Sequence, residues 1–89
     1  MIARDVFIKN KLGLHARAAV KFVNTANRFE SDVRIGKDGS DIDGKSILGI
    51  LTLAATQGST ISLRIKGPDE EAAFQALADL IDGRFGEKE

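Results

Sequence analysis

The chain has 89 residues, 13 Lys plus Arg against 13 Asp plus Glu, one histidine and no cysteine, which fits one domain over residues 1–89. Without cysteine there are no disulfides, thiolate zinc sites or thiol nucleophiles, and one histidine excludes a multi-histidine metal centre. Balanced charge argues against a nucleic-acid binder and no apolar run reaches the ~20 residues of a membrane span, so the expectation is a small cytoplasmic domain with no metal, no cofactor and no membrane insertion.

Ile2, Val6 and Ile8 share one face at period two, which predicts a first strand over residues 2–8. Asn10-Lys11-Leu12-Gly13 reads as a loop. From Ala16 the apolar positions Ala19, Phe22, Val23 and Ala26 recur at helical spacing, giving an amphipathic helix to about Asn27. Val33 and Ile35 mark a strand over residues 32–36, and Asp38-Gly39 is a pair that favours a tight hairpin. The return strand, Ser40–Asp43, has only Ile42 to bury between two aspartates, as a protected sheet edge does.

Ser46 opens a helical run to about Thr52. Thr60–Lys66 alternates Ile61, Leu63 and Ile65 with polar residues and is the cleanest strand. Gly67-Pro68-Asp69 supplies a turn and an N-cap, with Glu70 and Glu71 at the positive end of a last helix. Leu77, Leu80 and Ile81 form its buried stripe and Gly83 its stop. Residues 83–89 read as a flexible tail without a role. The fold class is therefore α+β: a four-stranded antiparallel sheet with helices on one face and the other face solvated.

Two residues break local rules where the loop meets the first helix. His15 caps a helix worse than Ser, Thr, Asp or Asn, residues worth about 0.5–2 kcal/mol there. Arg17 puts a cation in the first turn, where the macrodipole favours acids by ~0.3–1 kcal/mol. Both choices suit a visiting dianion. A phosphoryl group would meet the free backbone N–H groups of Ala16 and Arg17, the helix dipole and a guanidinium able to bind two oxygens. A neutral imidazole nitrogen can itself be the nucleophile that carries the group. The same residues also fit a surface histidine and an arginine lying along its helix, and by themselves they leave both readings open.

Ile47, Leu48, Ile50, Leu51, Leu53, Ala54 and Ala55 surround the second helix. Ile50 and Leu53 are expected to face the core, and Ile47, Leu48 and Leu51 to face outward as a docking patch; burial on all sides is the alternative. Ser46 is by default an N-cap, while a phosphate on its hydroxyl would put negative charge beside the patch and weaken an acidic partner's docking. Lys9, Lys11, Arg17, Lys21 and Lys45 read either as a basic rim near His15 or as solvated charges.

Gly13-Leu14-His15-Ala16-Arg17-Ala18-Ala19, Gly44-Lys45-Ser46-Ile47-Leu48-Gly49 and Thr56-Gln57-Gly58-Ser59 resemble the HPr family, the histidine-containing phosphocarriers of the bacterial phosphoenolpyruvate-dependent phosphotransferase system. The resemblance extends to about Asp82. It implies an open-faced β-sandwich of order βαββαβα, a monomer, and a carrier with no catalysis of its own. His15 would accept a phosphoryl group on Nδ1 from enzyme I, the phosphoenolpyruvate-protein phosphotransferase, and pass it to an enzyme II A domain. Arg17 would stabilise the phosphate, with the backbone of Ala16 and Arg17 binding it, and Ile47, Leu48 and Leu51 would dock partners. Ser46 would match the residue that a serine kinase/phosphorylase modifies in some lineages.

Ala18 stands where many relatives have proline, and Asn24 and Asn27 where sugar-type members often carry lysine. The Leu-His-Ala-Arg-Ala stretch is similar to nitrogen-related members too, so sugar transport and nitrogen regulation both stay open. A rival reading is a regulatory binding module whose apolar patch grips a kinase or transcription regulator, with phosphorylation as the switch.

Overall fold

The computed structural model describes residues 1–89. Its elements are β1 (Ile2–Phe7), α1 (Ala16–Ala26), β2 (Asp32–Lys37), β3 (Ser40–Asp43), α2 (Ile47–Thr52), β4 (Thr60–Lys66) and α3 (Glu70–Asp82), followed by a 3-10 turn at Arg84–Gly86. The period-two stretches pair as one antiparallel sheet in the order β1-β4-β2-β3. β4, with the most regular alternation, is an inner strand, and the acidic β3 is an edge. The β2–β3 hairpin turns at Asp38 and Gly39 with φ of 51° and 85°, the two positive values that a twisted two-residue hairpin requires.

One sheet face carries the core. Val33, Ile35, Ile61, Leu63 and Ile65 meet Ala18, Ala19, Phe22, Val23 and Ala26 of α1, Ile50 of α2, and Ala73, Leu77 and Ile81 of α3. Full burial of a Val, Leu, Ile or Phe side chain contributes about 1.5–3 kcal/mol, so this seam fixes α1, and His15 at its start, against the sheet. On the open face Arg34 and Arg64 stand directly opposite each other, and Asp41 on β3 relieves that like-charge pair by bonding both guanidinium groups. The hydrogen bond from Arg64, above all, holds the Asp41 carboxyl below its usual range.

Asp69 and Gly83 take the expected N-cap and stop positions of α3, with differences in how each works, and the tail beyond departs from its expectation. Asp69 occupies the N-cap but makes no capping hydrogen bond. Its carboxylate instead accepts from the Ser31 hydroxyl, the Ser31 N–H (3.0 Å) and the Glu30 N–H (2.9 Å), tying the α1–β2 connection to the start of α3. These donors, the Ser31 hydroxyl first, lower its pKa. Gly83 does end the helix, yet its φ is −81°; the left-handed residues are Arg84 and Phe85, at 56° and 54°. The flexible tail expected at residues 83–89 is instead a packed segment, because Phe85 is fully buried in the core.

Candidate functional site

Asn10 and Gly13 build the loop that presents His15. The Gly13 N–H closes a turn on the Asn10 carbonyl at 3.1 Å. Gly13 has φ +68°, and a Cβ on it would collide with the Ala55 carbonyl and the Thr56 backbone, so the close approach needs glycine. The Leu14 N–H donates to that same Ala55 carbonyl at 2.9 Å, stitching the segment after α2 to the residue before His15. Asn10 is fully buried and donates its Nδ2–H to the Gly13 carbonyl at 2.8 Å.

His15 is the N-cap of α1, with extended backbone at φ −77° and ψ 178°. Its Nδ1 accepts the Arg17 N–H at 3.2 Å, so a ring nitrogen does what a serine oxygen usually does for an orphan helix donor. Its Nε2 meets a carboxylate oxygen of Glu87. An acceptor role at Nδ1 and a carboxylate at Nε2 are both satisfied by one neutral tautomer, with the hydrogen on Nε2. The ring remains 26% exposed. Ala16 and Arg17 are exposed, no acid stands in the first turn, and the Arg17 guanidinium has no ion-pair partner.

Glu87 arrives from the packed tail, and its second oxygen accepts the Asn10 Nδ2–H at 3.1 Å. Burial pushes the Glu87 carboxyl up, but the hydrogen bonds from His15 and Asn10 and the nearby Lys21 charge outweigh it, so its pKa is lowered. Contacts with α3 and the tail engage three of the lysines that the sequence left as either a basic rim or solvated charges. Lys21 donates to the Phe85 carbonyl, Lys9 pairs with Asp82 at 2.9 Å and Lys11 with Glu89 at 3.5 Å. Lys45 lies elsewhere: its Nζ donates to the Phe29 carbonyl at 2.9 Å, past the far end of α1. Arg17 is thus the one cation of that set without a partner at the site.

Ser46 caps α2, its Oγ accepting the Gly49 N–H at 3.1 Å. Ile50 and Leu53 are buried, while Ile47, Leu48 and Leu51 stay 38%, 77% and 36% exposed, the division expected from a short helix with one buried stripe. Asn10 and Glu87 were not foreseen. Asn10 sits in a loop without periodicity, and the one usable sign for the tail was Phe85, a large aromatic among glycines and charges. No helix is long and apolar enough to cross a membrane.

A family model described as "PTS HPr component phosphorylation site" matches residues 2–83. A phosphocarrier protein HPr of Neisseria meningitidis serogroup B is 51% identical over 89 residues, covering all of both chains. The crystal structure of an HPr from Thermoanaerobacter tengcongensis superposes over all of both chains, at 46% identity and a TM-score of 0.96. Crh of Bacillus subtilis, described as an intertwined, domain-swapped dimer, is 40% identical over 94% of this chain and 97% of its own, with a TM-score of 0.76. Likeness of this extent takes in the sheet, the His15 junction and the α2 patch together: the chain belongs to the HPr family, phosphocarriers of the phosphotransferase system and not catalysts in their own right.

Proposed function

We propose that His15 takes a phosphoryl group on Nδ1 from enzyme I and hands it to the A domain of an enzyme II. What carries this reading is the setting of Nδ1: a lone-pair nitrogen at a helix N-terminus, beside a guanidinium with no partner. The Nδ1–P bond forms as the bond from phosphorus to the donor breaks, and its electron pair leaves with the donor. The N–H groups of Ala16 and Arg17 and the Arg17 guanidinium then face phosphoryl oxygens, which neutralises charge without any movement of the helix. Handing the group on reverses these steps. The carrier supplies placement, and each partner supplies the rest of the catalysis.

Ile47, Leu48 and Leu51 are the surface on which these partners dock in turn, since they remain exposed beside a segment hydrogen-bonded to the His15 loop. The working unit of this proposal is a cytoplasmic monomer, as the family resemblance implies. Incubation with labelled phosphoenolpyruvate and enzyme I should place one acid-labile phosphate on the protein. No label, or an acid-stable one, overturns the reading.

Ser46 is the regulatory position, open to a serine kinase because it caps the helix that bears the patch. Aspartate caps as well as serine, so Ser46→Asp keeps α2 while adding a negative charge where an acidic partner docks. The initial rate of phosphorylation by enzyme I is expected to fall about tenfold. An unchanged rate, with unchanged thermal stability, contradicts regulation by charge.

A further inference from the structure

We infer that Glu87 is a positioning residue for phosphoryl transfer: it holds the imidazole proton of His15 on Nε2 and so leaves Nδ1 as the attacking nitrogen. The inference rests on His15 being the phosphoryl acceptor. Its geometric basis is the carboxylate of Glu87, one oxygen on Nε2 of His15 and the other on the buried amide of Asn10. Glu87 is itself only 15% exposed.

The tail that delivers this carboxylate is fixed on both sides, downstream by the Lys11 N–H donating to the Glu89 carbonyl and upstream at Phe85. Phe85 is fully buried, its carbonyl accepts from Lys21, and Arg84 and Phe85 hold left-handed backbone that non-glycine residues seldom adopt. Asn10 adds a second sign. Its amide turns Nδ2 toward two acceptors, Gly13 O and Glu87 Oε1, and leaves Oδ1 buried without a partner. Such orphaned atoms are uncommon, and this one follows from Asn10 serving the loop and the carboxylate at once.

The chemistry that this arrangement supports needs no proton to move. While the ring is neutral, Nε2–H donates to Glu87 and Nδ1 carries no proton; its lone pair accepts the Arg17 N–H at 3.2 Å and exchanges that bond for phosphorus, which frees the N–H for a phosphoryl oxygen. As the Nδ1–P bond forms and the donor departs with its electron pair, the ring becomes cationic, and the carboxylate at Nε2 compensates that charge. When the acceptor takes the phosphoryl group, the N–P electron pair returns to Nδ1 and the ring is neutral again, its proton still on Nε2. A carboxylate behind a working imidazole orients it and selects its tautomer in the same way. Around Glu87 the other charged groups are Lys21 on α1 and, lining one shallow pocket with Glu87 itself, Lys11, Lys88 and Glu89, of which Lys11 and Glu89 pair.

The test combines nitrogen-15 NMR of the His15 ring in the unphosphorylated protein with the initial rate of phosphorylation by enzyme I and phosphoenolpyruvate. The wild type should show hydrogen on Nε2 and a bare Nδ1. Glu87→Ala should populate the other tautomer and slow phosphorylation about tenfold, the lower end for carboxylates that hold the far nitrogen of a functional imidazole. Glu87→Gln, whose amide oxygen still accepts from Nε2–H, should restore the tautomer and part of the rate. Both variants keep Phe85 and should stay folded; loss of the Asn10 and His15 hydrogen bonds should lower the melting temperature of Glu87→Ala by no more than about 4–8 °C. A wild type that takes no phosphate overturns the carrier reading and this one with it. A labelled wild type that Glu87→Ala equals in tautomer and rate overturns the role of Glu87 alone. So does a faster Glu87→Ala, which would make the tail a lid.

Discussion

Replacing His15 abolishes phosphate uptake from phosphoenolpyruvate and enzyme I, an expected loss of at least about 1,000-fold, as for removal of a covalent nucleophile. The chain has one histidine and no cysteine, so no second soft nucleophile can stand in. The Ser46 hydroxyl is no substitute, since a phosphate ester there is acid-stable and would not give the acid-labile label, and it lies at the start of a different helix. His15→Ala also removes a cap, weaker than the Ser, Thr, Asp or Asn caps worth about 0.5–2 kcal/mol, and that loss of stability would blur the result. His15→Asn avoids that difficulty: asparagine is among the best N-caps, so this variant should melt at or above the wild-type temperature and still accept nothing. Acid-labile label on His15→Asn would show that another residue carries the group.

Phe85→Ala is the second large effect, an expected loss of about 3–5 kcal/mol in guanidinium or urea unfolding. Phe85 is among the largest fully buried side chains, and truncating it removes apolar burial and leaves a cavity. A domain of this size commonly has about 4–13 kcal/mol in total, so the variant sits near its unfolding threshold. Part of the loss is offset because Arg84 and Phe85 can then leave their left-handed backbone. Freed from that anchor, Glu87 should also leave His15, and the ring should show the same tautomer mixture as Glu87→Ala. A loss under about 1 kcal/mol, far below the usual range for buried phenylalanine, contradicts the packed tail.

Legibility in the sequence followed the range of the interaction. β4 has the bounds that its alternation predicts, and the Asp38-Gly39 hairpin forms where two residues suffice to specify it. His15 and Arg17 stood out because each opposes a preference set within one helical turn. The α2 patch was visible as more apolar residues than a six-residue helix can bury. What remained hidden depends on residues far apart: Glu87 meets Asn10 across 77 positions and His15 across 72, and no period links them. Asp69 shows the same limit on a smaller scale. It has the residue type and place of a cap, but Ser31 and Glu30, folded against it, offer its carboxylate three donors. Sequence could not choose between a rim and solvated charges for the lysines because their partners, Asp82, Phe85 and Glu89, come from α3 and the tail, and Lys45 belongs to the other end of α1.

The central claim is that Nδ1 of His15 carries the phosphoryl group, and the single histidine makes this directly measurable. Protein labelled with nitrogen-15 in its histidine ring, treated with phosphoenolpyruvate and catalytic amounts of unlabelled enzyme I, should show a one-bond phosphorus-31 to nitrogen-15 coupling at Nδ1 and none at Nε2, where the proton remains. Coupling at Nε2, or phosphate incorporated with no coupling to either ring nitrogen, would contradict the account.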